Sequence, residues 1–316
     1  MNAPPITSKR AAASVERWLV HSPLQRFYGW RAERRLAVLA YHAIENEEAF
    51  SQHLDYLRTR CNPVSLDQVV AAAERKRELP RRAVLITFDD ADRTVLERGL
   101  PLLRGHGFPA VAFVVTRHLD RRQPFWWTEV EHLAGAGATA EGFEGIGSAD
   151  LVRRMKLVPE ERRRSILADL RGTASEPAPS HPHLRSADLE ALQTSGVAIG
   201  NHTASHPCLP RCSEEDVREE IARAHDTITG VTGSEPVAFA YPNGDWDPRA
   251  ERVLGELGYR VAFLFDHALT RPERYPLRMS RVRTDSTVSL QRLSLIVSGL
   301  HPALHRLRSR LTRGPM

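Results

Sequence analysis

Short apolar runs alternate with amphipathic stretches along most of the chain. Apolar residues dominate the segments 36–41, 83–88, 110–115, 197–199, 237–240 and 259–265. Short runs of this kind, bounded by polar segments, are typical of strands that are buried on both faces. A succession of such runs, each followed by a helical pattern, predicts repeated β-α units around a mostly parallel sheet.

The stretches between these runs have helical spacing and helix-end signals. Leu54 and Leu57 share one face of a predicted helix at 50–60, and Ser65 and Ser213 stand where N-cap residues are expected. The predicted helices cover residues 50–60, 66–77, 95–106, 186–195, 213–230 and 247–257.

The pattern divides the chain into a main unit with three additions. We predict an N-terminal extension over residues 1–35, a main α/β domain over 36–290, and a basic C-terminal helix or tail over 291–316. Within the main domain, Gly, Ala, Pro and Ser become frequent between about 124 and 182, on both sides of a charged segment. This region predicts an insertion that carries one or two helices and could cover a substrate cleft.

Composition narrows the class of protein. The chain has 316 residues, of which 41% are hydrophobic and 26% are charged, and it has three cysteines. These values are typical of a folded protein with a sizeable core, and they exclude a disulfide scaffold and a largely disordered chain. Because Glu16, Arg17 and His21 interrupt the apolar residues near the start, we expect a cytoplasmic protein without a transmembrane segment.

Basic residues outnumber acidic ones. The formal net charge is +5, and arginines cluster at 31–35, 162–164 and 306–313. Such runs usually form solvated faces, and no nucleic-acid-binding motif accompanies them. The sequence therefore predicts no nucleic-acid partner, and it leaves open a peripheral membrane contact through the basic segments.

Two adjacent carboxylates, Asp89 and Asp90, end the strongest apolar run. Catalytic groups of α/β proteins gather at the C-terminal ends of parallel strands. Because neighbouring side chains in a strand point to opposite faces, both aspartates can serve one site only if the strand ends there. Two close carboxylates repel each other when ionised, so the pair favours a metal ion or a shared proton. The alternative is that one of them caps the following helix.

Two histidines, His202 and His206, follow the apolar run at 197–199. A separation of four residues would place both imidazoles on one side of a helical turn, near enough to bind a single ion. Two imidazoles and one carboxylate make a three-ligand site with open positions, as expected of a catalytic zinc rather than a structural one.

A third segment, Phe-Ala-Tyr-Pro-Asn-Gly-Asp at 239–245, again follows an apolar run. Pro242 and Gly244 predict a rigid turn that can hold a backbone N–H toward a cleft. An ordinary turn between a strand and a helix has the same features, so this segment gains weight only beside the other two.

Together, the three segments resemble the motifs of the polysaccharide deacetylases, the NodB-homology or carbohydrate esterase family 4 group. The Thr-Phe-Asp-Asp motif matches 87–90, the His-(Ser/Thr)-x-x-His motif matches 202–206, and the Pro-x-Gly turn matches 242–244. The motifs occur in the family's order, and the resemblance runs from about residue 36 to residue 285, with only the insertion at about 124–182 outside it. Tyr41-His42 and Trp126-Trp127 also resemble the branch found with exopolysaccharide synthesis.

The resemblance implies a distorted (β/α) barrel and the metal-dependent removal of an N-acetyl group from an amino sugar or glycoconjugate. By position, Asp90, His202 and His206 would bind a divalent metal, usually zinc, and Asp89 would be the general base. The ion would polarise the amide carbonyl and lower the pKa of its water. The metal and the backbone N–H of Tyr241 would stabilise the oxyanion.

Further residues acquire supporting roles from the same resemblance. Thr203 would orient its loop or a histidine, Pro242 would shape the third turn, and His42 lies after the first strand. Trp126 and Trp127 either stack on a sugar ring or pack beneath the insertion.

The chain also departs from the family pattern. Ala91 stands where glycine is usual, and Ala240 and Tyr241 stand where many members carry an arginine that orders the base. No Leu-x-x-x-His motif supplies a general acid. The histidines that could take that role are His42, His267 and His301.

Three other interpretations are weaker. The same site could hydrolyse another small or cyclic amide. Asp90-Ala91-Asp92 also fits a magnesium-dependent phosphohydrolase with Asp90 as nucleophile, but that leaves His202 and His206 unexplained. An inactive sugar-binding protein is disfavoured, because both aspartates and both histidines are intact.

We expect the remaining cysteines and histidines near the motifs to be structural or to lie at the protein surface. Cys208 and Cys212 lie close to the second motif, but prolines constrain that segment and the histidines already fill the ligand role. We expect the following three residues at the surface: His132, His181 and His183.

Overall fold

The computed structural model describes residues 14–312, and it describes side chains as far as residue 308. Residues 1–13 of the predicted extension and 313–316 of the predicted tail lie outside the described residues. Residues 14–20, which begin this part, are helical.

Eight strands form one parallel sheet in the described part of the chain. The strands are β1 (Ala37–Tyr41), β2 (Asn62–Pro63), β3 (Ala83–Phe88), β4 (Ala110–Val114), β5 (Val197–Asn201), β6 (Ala238–Ala240), β7 (Val261–Phe263) and β8 (Val282–Arg283). Their order is β7-β6-β5-β4-β3-β1-β8, and β2 also pairs with β3.

Helices fill the connections between the strands. They are α1 (Pro23–Ala32), α2 (Glu47–Arg60), α3 (Leu66–Ala73), α4 (Leu100–His106), α5 (Trp126–Gly135), α6 (Ser148–Met155), α7 (Glu160–Thr173), α8 (Ser186–Thr194), α9 (Glu214–Thr232), α10 (Pro248–Glu256), α11 (Leu290–Val297) and α12 (Leu300–Thr312). No helix among the described residues has the length and apolar character needed to cross a membrane.

The segment 279–283 closes the curled sheet into a barrel. Met279 forms a parallel bridge with Phe263 of β7, and Val282 pairs with Leu39 of β1. β7 and β1 are thereby joined through one short stretch of chain that includes the outer strand β8. The predicted distorted (β/α) barrel is confirmed, although the closing strand β8 had no signal in the sequence.

Burial on both faces explains the continuous apolar runs. Val38 and Leu85 join Val111 and Phe113 in a cluster inside the barrel. The alternate residues point outward and pack against the surrounding helices. They include Leu39 of β1 and the corresponding residues of β3 and β4. A strand enclosed in this way has no solvent face, so its sequence lacks polar alternation.

Local signals placed most helices correctly. Ser65 forms a capping box with Gln68, and Ser213 accepts a hydrogen bond from the backbone of Asp216. The predicted helix at 95–106 is instead a π-helical turn, Val95–Gly99, followed by α4. Pro101 has no N–H to continue an α-helical ladder, which accounts for the wider turn.

The insertion contains three helices rather than one or two. Helices α5, α6 and α7 share a separate apolar cluster that includes Val130, Met155, Ile166 and Leu170. The third helix arises because the charged segment is broken at Pro159, the residue immediately before α7.

Gly200 supplies a stability test of the closed barrel. A Cβ there would lie 2.4 Å from Cδ1 of Phe113 and 3.2 Å from the carbonyl oxygen of Ala238. Because the interior has little spare volume, we expect Gly200→Ala to lower the free energy of unfolding by about 1–3 kcal/mol.

The matched control is Gly230→Ala in α9, where a Cβ would meet nothing within 4 Å. Alanine favours a helix over glycine, so this variant should gain up to about 1 kcal/mol. Urea unfolding of both variants gives the comparison. Equal free energies of unfolding for the two variants would show that the barrel around Gly200 has room for a methyl group.

Candidate functional site

The predicted site residues gather at the C-terminal ends of the strands. Asp89 extends β3 by one residue, and its N–H donates to the carbonyl oxygen of Tyr41 at 3.0 Å. Asp90 and Ala91 then adopt left-handed backbone conformations, with φ of 74° and 57°. This turn ends the strand, so that Asp89 and Asp90 can face the same site. Ala91 thus adopts the backbone for which the family usually has glycine, at a cost of about 1–2 kcal/mol.

Three potential metal ligands lie together beneath the mouth of the barrel. Oδ1 of Asp90 lies 3.6 Å from Nε2 of His202 and 3.7 Å from Nε2 of His206. Both histidines are buried. Oδ1 of Asp90 is buried without a hydrogen-bond partner in the described structure. An orphaned carboxylate oxygen facing two imidazole nitrogens fits a divalent cation.

The histidine loop is held by its own hydrogen bonds. Nδ1 of His202 lies 2.7 Å from the carbonyl oxygen of Ala240, which leaves Nε2 directed toward Asp90. Thr203 receives a hydrogen bond at Oγ1 from the N–H of His206 at 3.0 Å, and its own N–H donates to Oδ1 of Asn201. Thr203 therefore lies where it was expected to orient the loop.

The geometry that brings the histidines together differs from the one predicted. Residues 202–206 form no helical turn. Thr203 and His206 instead have left-handed backbone angles, with φ of 69° and 58°. The tight bend, rather than helical periodicity, places the two imidazoles 4.7 Å apart, measured between ring centroids.

Asp89 forms a buried ion pair with Arg281. The guanidinium donates two hydrogen bonds to the carboxylate, at 2.7 and 2.8 Å, and a third to Oγ1 of Thr87 at 3.2 Å. Arg281 belongs to the segment that closes the barrel, and its side chain is 1% exposed. Asp89 thus has an arginine partner from outside the third motif, which itself contains none. No sequence signal distinguished Arg281 among 44 basic residues.

The two aspartates have opposite electrostatic environments. Burial alone would raise the pKa of Asp89, but Arg281 and His202 more than compensate and hold that pKa below its ordinary value. Burial, and then the charge of Asp89, raise the pKa of Asp90 to about 8. Arg281 therefore neutralises Asp89, and Asp90 is the carboxylate that lacks a full cationic partner.

The predicted oxyanion role of Tyr241 is wrong. Its N–H donates to the carbonyl oxygen of Phe263 at 3.0 Å, because the residue continues the pairing of β6 with β7. The following 3₁₀ turn, Pro242–Gly244, uses the N–H groups of Gly244 and Asp245 internally, and Pro242 has none. Asn243 has the remaining N–H of this turn, and the described contacts give it no acceptor.

Of the three histidines proposed as general acids, His42 lies in the site. Its Nε2 is 3.9 Å from Oδ2 of Asp90, and burial lowers its pKa. His267 packs against His305, with ring centroids 4.4 Å apart. His301 lies 3.2 Å from the guanidinium of Arg292.

The two tryptophans lie in different surroundings. The Trp127 ring lies 4.7 Å from that of His206 and stacks on Phe125 at 4.5 Å, measured between ring centroids. Trp126 packs beneath the guanidinium of Arg163, 4.4 Å from its ring centroid. Trp127 therefore borders the potential metal ligands, whereas Trp126 stabilises the insertion.

Other residues near the motifs have structural roles. Asp92 accepts hydrogen bonds from Thr94 at the start of the following helical turn and lies 2.9 Å from Nε2 of His181. It is therefore engaged outside the ligand cluster, which removes the basis for a phosphohydrolase with Asp90 and Asp92. Cys208 is buried and accepts a hydrogen bond from Arg163 at 3.2 Å.

One histidine was wrongly expected at the surface. His183 is buried, and its Nε2 lies 2.8 Å from the carbonyl oxygen of Gln123. It packs against His118 and Phe125, because the chain leaving the insertion returns alongside the segment that enters it.

Comparisons with known proteins agree with the motifs. A family model described as polysaccharide deacetylase matches residues 76–262, which is more than half of the chain. A poly-beta-1,6-N-acetyl-D-glucosamine N-deacetylase of Staphylococcus aureus is 39% identical over 46 residues. That match covers 15% of this chain and 16% of the relative.

Two solved structures have the same fold. The Streptococcus pyogenes deacetylase PplD, in complex with acetate, is 16% identical, with a TM-score of 0.59 over 84% of this chain and 99% of the other. IcaB from Ammonifex degensii is 20% identical, with a TM-score of 0.58 over 84% of this chain and 96% of the other. The resemblance that the motifs indicated is confirmed.

The Arg281 contact predicts a shifted pH profile. Arg281→Met removes the charge that lowers the pKa of Asp89, so that pKa should rise. If Asp89 is a base, the acidic limb of the pH profile of kcat/KM should move to higher pH. The value of kcat/KM at neutral pH should then fall at least about tenfold.

Arg281→Lys is the matched control, since it keeps the charge but not the paired hydrogen bonds. It should leave the acidic limb closer to that of the wild type. An unchanged profile in Arg281→Met, with the protein still folded by circular dichroism, would contradict the ion pair's influence on Asp89.

Proposed function

This chain belongs to the polysaccharide deacetylase family, and on that premise we propose that it is a metal-dependent N-deacetylase of an amino-sugar polymer or glycoconjugate. The observation that carries the proposal is the cluster of Asp90, His202 and His206 beside an aspartate paired with arginine. Family and geometry together favour amide hydrolysis.

Asp90, His202 and His206 would hold the cation, and we expect zinc. Imidazole and carboxylate donors in a set of three suit a catalytic zinc, with positions left for water and substrate. When bound, the ion would act as a Lewis acid toward the amide carbonyl and lower the pKa of water. The hydrogen bond from His202 to Ala240 would keep the first imidazole aligned.

Asp89 would accept the proton of the attacking water. Its pKa lies below the ordinary value, so the carboxylate is ionised at neutral pH. Arg281 binds both of its oxygens, yet a carboxylate oxygen has a second lone pair for a further hydrogen bond. Arg281 would thus position the base rather than take part in the proton transfer.

The remaining steps need an oxyanion donor and a proton for the departing amine. We assign the first role to the N–H of Asn243, since the other N–H groups of its turn are engaged. His42 is the histidine beside Asp90, and because its lowered pKa leaves it uncharged at neutral pH, it would relay to the amine the proton that Asp89 takes from water. Water adds to the carbonyl carbon, the C–N bond breaks, and the products are acetate and a free amino group.

An N-acetylated sugar is the substrate that these features favour. The Staphylococcus aureus relative is named for a poly-N-acetylglucosamine substrate, and the Streptococcus pyogenes structure contains acetate. Trp127 offers an aromatic face next to His206, which suits the apolar face of a sugar ring. The insertion would then form one wall of the substrate cleft.

Acetate release tests the proposal directly. Purified protein, stripped of metal and reloaded with zinc, should release acetate from oligomers of β-1,6-linked N-acetylglucosamine. Asp89→Asn should keep stoichiometric metal and reduce kcat about 10²–10⁴-fold, because it removes the base. His206→Ala should lose both metal and activity.

Metal content by mass spectrometry of the native protein and circular dichroism of each variant complete this comparison. Normal turnover by Asp89→Asn would refute the role of Asp89 as base. Bound metal without acetate release from any N-acetylated sugar would refute the deacetylase.

The tryptophan pair supplies a test of the substrate wall. Trp127→Ala should raise KM several-fold with stoichiometric metal, since it removes only the aromatic face. Trp126→Ala should instead lower the free energy of unfolding by about 1–3 kcal/mol, because it removes packing under Arg163. A KM unchanged by Trp127→Ala would exclude this wall as a sugar contact.

A further inference from the structure

Exposed apolar side chains are concentrated on the helices at the two ends of the described chain. Among the residues whose side chains the structure describes, ten large hydrophobic side chains are exposed, and seven of them lie there; two of the seven are tryptophans more than 60% exposed. These seven residues are Val15, Trp18, Leu24, Phe27, Trp30, Leu304 and Leu307. We call residues 14–20, α1 and α12 the terminal-helix face.

This exposure follows from how α1 is attached. Gln25 donates from Nε2 to the carbonyl oxygen of Ser294 at 3.2 Å and accepts at Oε1 from Ser298 at 2.8 Å, which fixes the helix to α11 and the turn after it. Helical geometry places Phe27 and Trp30 on the side opposite Gln25. The aromatic side chains are therefore held outward by a docked helix.

Arginines without acidic partners lie beside these apolar residues. A cleft between α1 and α12 is lined by Arg31, Arg35 and Arg306. In the described structure neither these nor the neighbouring Arg271 and Arg274 form a salt bridge, and Nε of Arg35 is buried without a hydrogen-bond partner. Burial, and then Arg271 and Arg31, lower the pKa of Arg35, as expected for crowded like charges.

We propose that the terminal-helix face docks on an anionic phospholipid bilayer. Tryptophan and phenylalanine suit the boundary between headgroups and acyl chains, and arginine suits the phosphates. Each signal alone gives weak binding, whereas an apolar surface combined with a basic patch gives stable association.

Two other occupants fit the face less well. In a symmetric dimer through this face, the five arginines, none of which forms a salt bridge in the described structure, would approach their copies. A nucleic acid would match the arginines, but it would leave Leu24, Leu304 and Leu307 without an apolar counterpart.

The face lies away from the candidate active site. A groove beside α1 is lined by Ala37 and Ala83, the first residues of β1 and β3. The catalytic residues lie at the opposite, C-terminal ends of these strands. Docking would therefore leave the mouth of the barrel free for substrate.

Vesicle flotation tests the proposal independently of enzyme activity. The full-length protein should float with vesicles of phosphatidylcholine and phosphatidylglycerol, and much less with phosphatidylcholine alone. Phe27→Ser combined with Trp30→Ser should reduce the bound fraction about tenfold or more. Arg31→Gln combined with Arg306→Gln should weaken binding to the anionic vesicles by a similar factor.

Leu157→Ser is the matched control, because Leu157 is 64% exposed but belongs to the insertion. It should bind vesicles like the wild type, and all variants should keep the circular dichroism spectrum of the wild type. Binding that survives the Phe27 and Trp30 changes, or no flotation with anionic vesicles, would overturn the proposal. A wild-type dimer that those changes dissociate in light scattering would overturn it in favour of a second copy.

Discussion

The buried ion pair between Arg281 and Asp89 is the contact on which both the barrel and the site depend. Arg281 lies between Met279, which bridges to β7, and Val282, which pairs with β1. A buried charge that loses its partner is strongly destabilising, by about 3–5 kcal/mol. The segment that closes the barrel is therefore coupled to the carboxylate proposed as the base, so neither can shift without disturbing the other.

This pairing also determines what Asp90 can do. Because Arg281 binds both oxygens of Asp89, the second aspartate is left facing two neutral imidazoles. A cation would supply the charge that this carboxylate lacks. Left-handed backbone at Asp90, Thr203 and His206 brings these groups together, and the surrounding hydrogen bonds hold those strained conformations. Strain of this kind is common where side chains must converge on one point.

The two ends of the barrel carry different additions. At the C-terminal ends of the strands, the insertion reaches the site through Trp127, and Lys156 donates to Oδ1 of Asn243 at 2.7 Å. At the other end, α1 and α12 present exposed aromatic and basic residues. The proposed substrate contacts and the proposed membrane contacts thus lie at opposite ends of the barrel.

The sequence by itself predicted most of the strands, their mostly parallel arrangement and the short motifs at the strand ends, and the family resemblance of those motifs implied the barrel. Apolar runs, caps and parallel-sheet geometry are local or nearly local, so they sufficed to bring Asp89, Asp90, His202 and His206 to one edge. Only the tertiary structure decided that Arg281, 192 residues beyond Asp89, is its partner. It also showed that sheet pairing engages the N–H of Tyr241, and that His183 is buried. These outcomes depend on barrel closure and on contacts between distant segments, which no local pattern in the chain encodes.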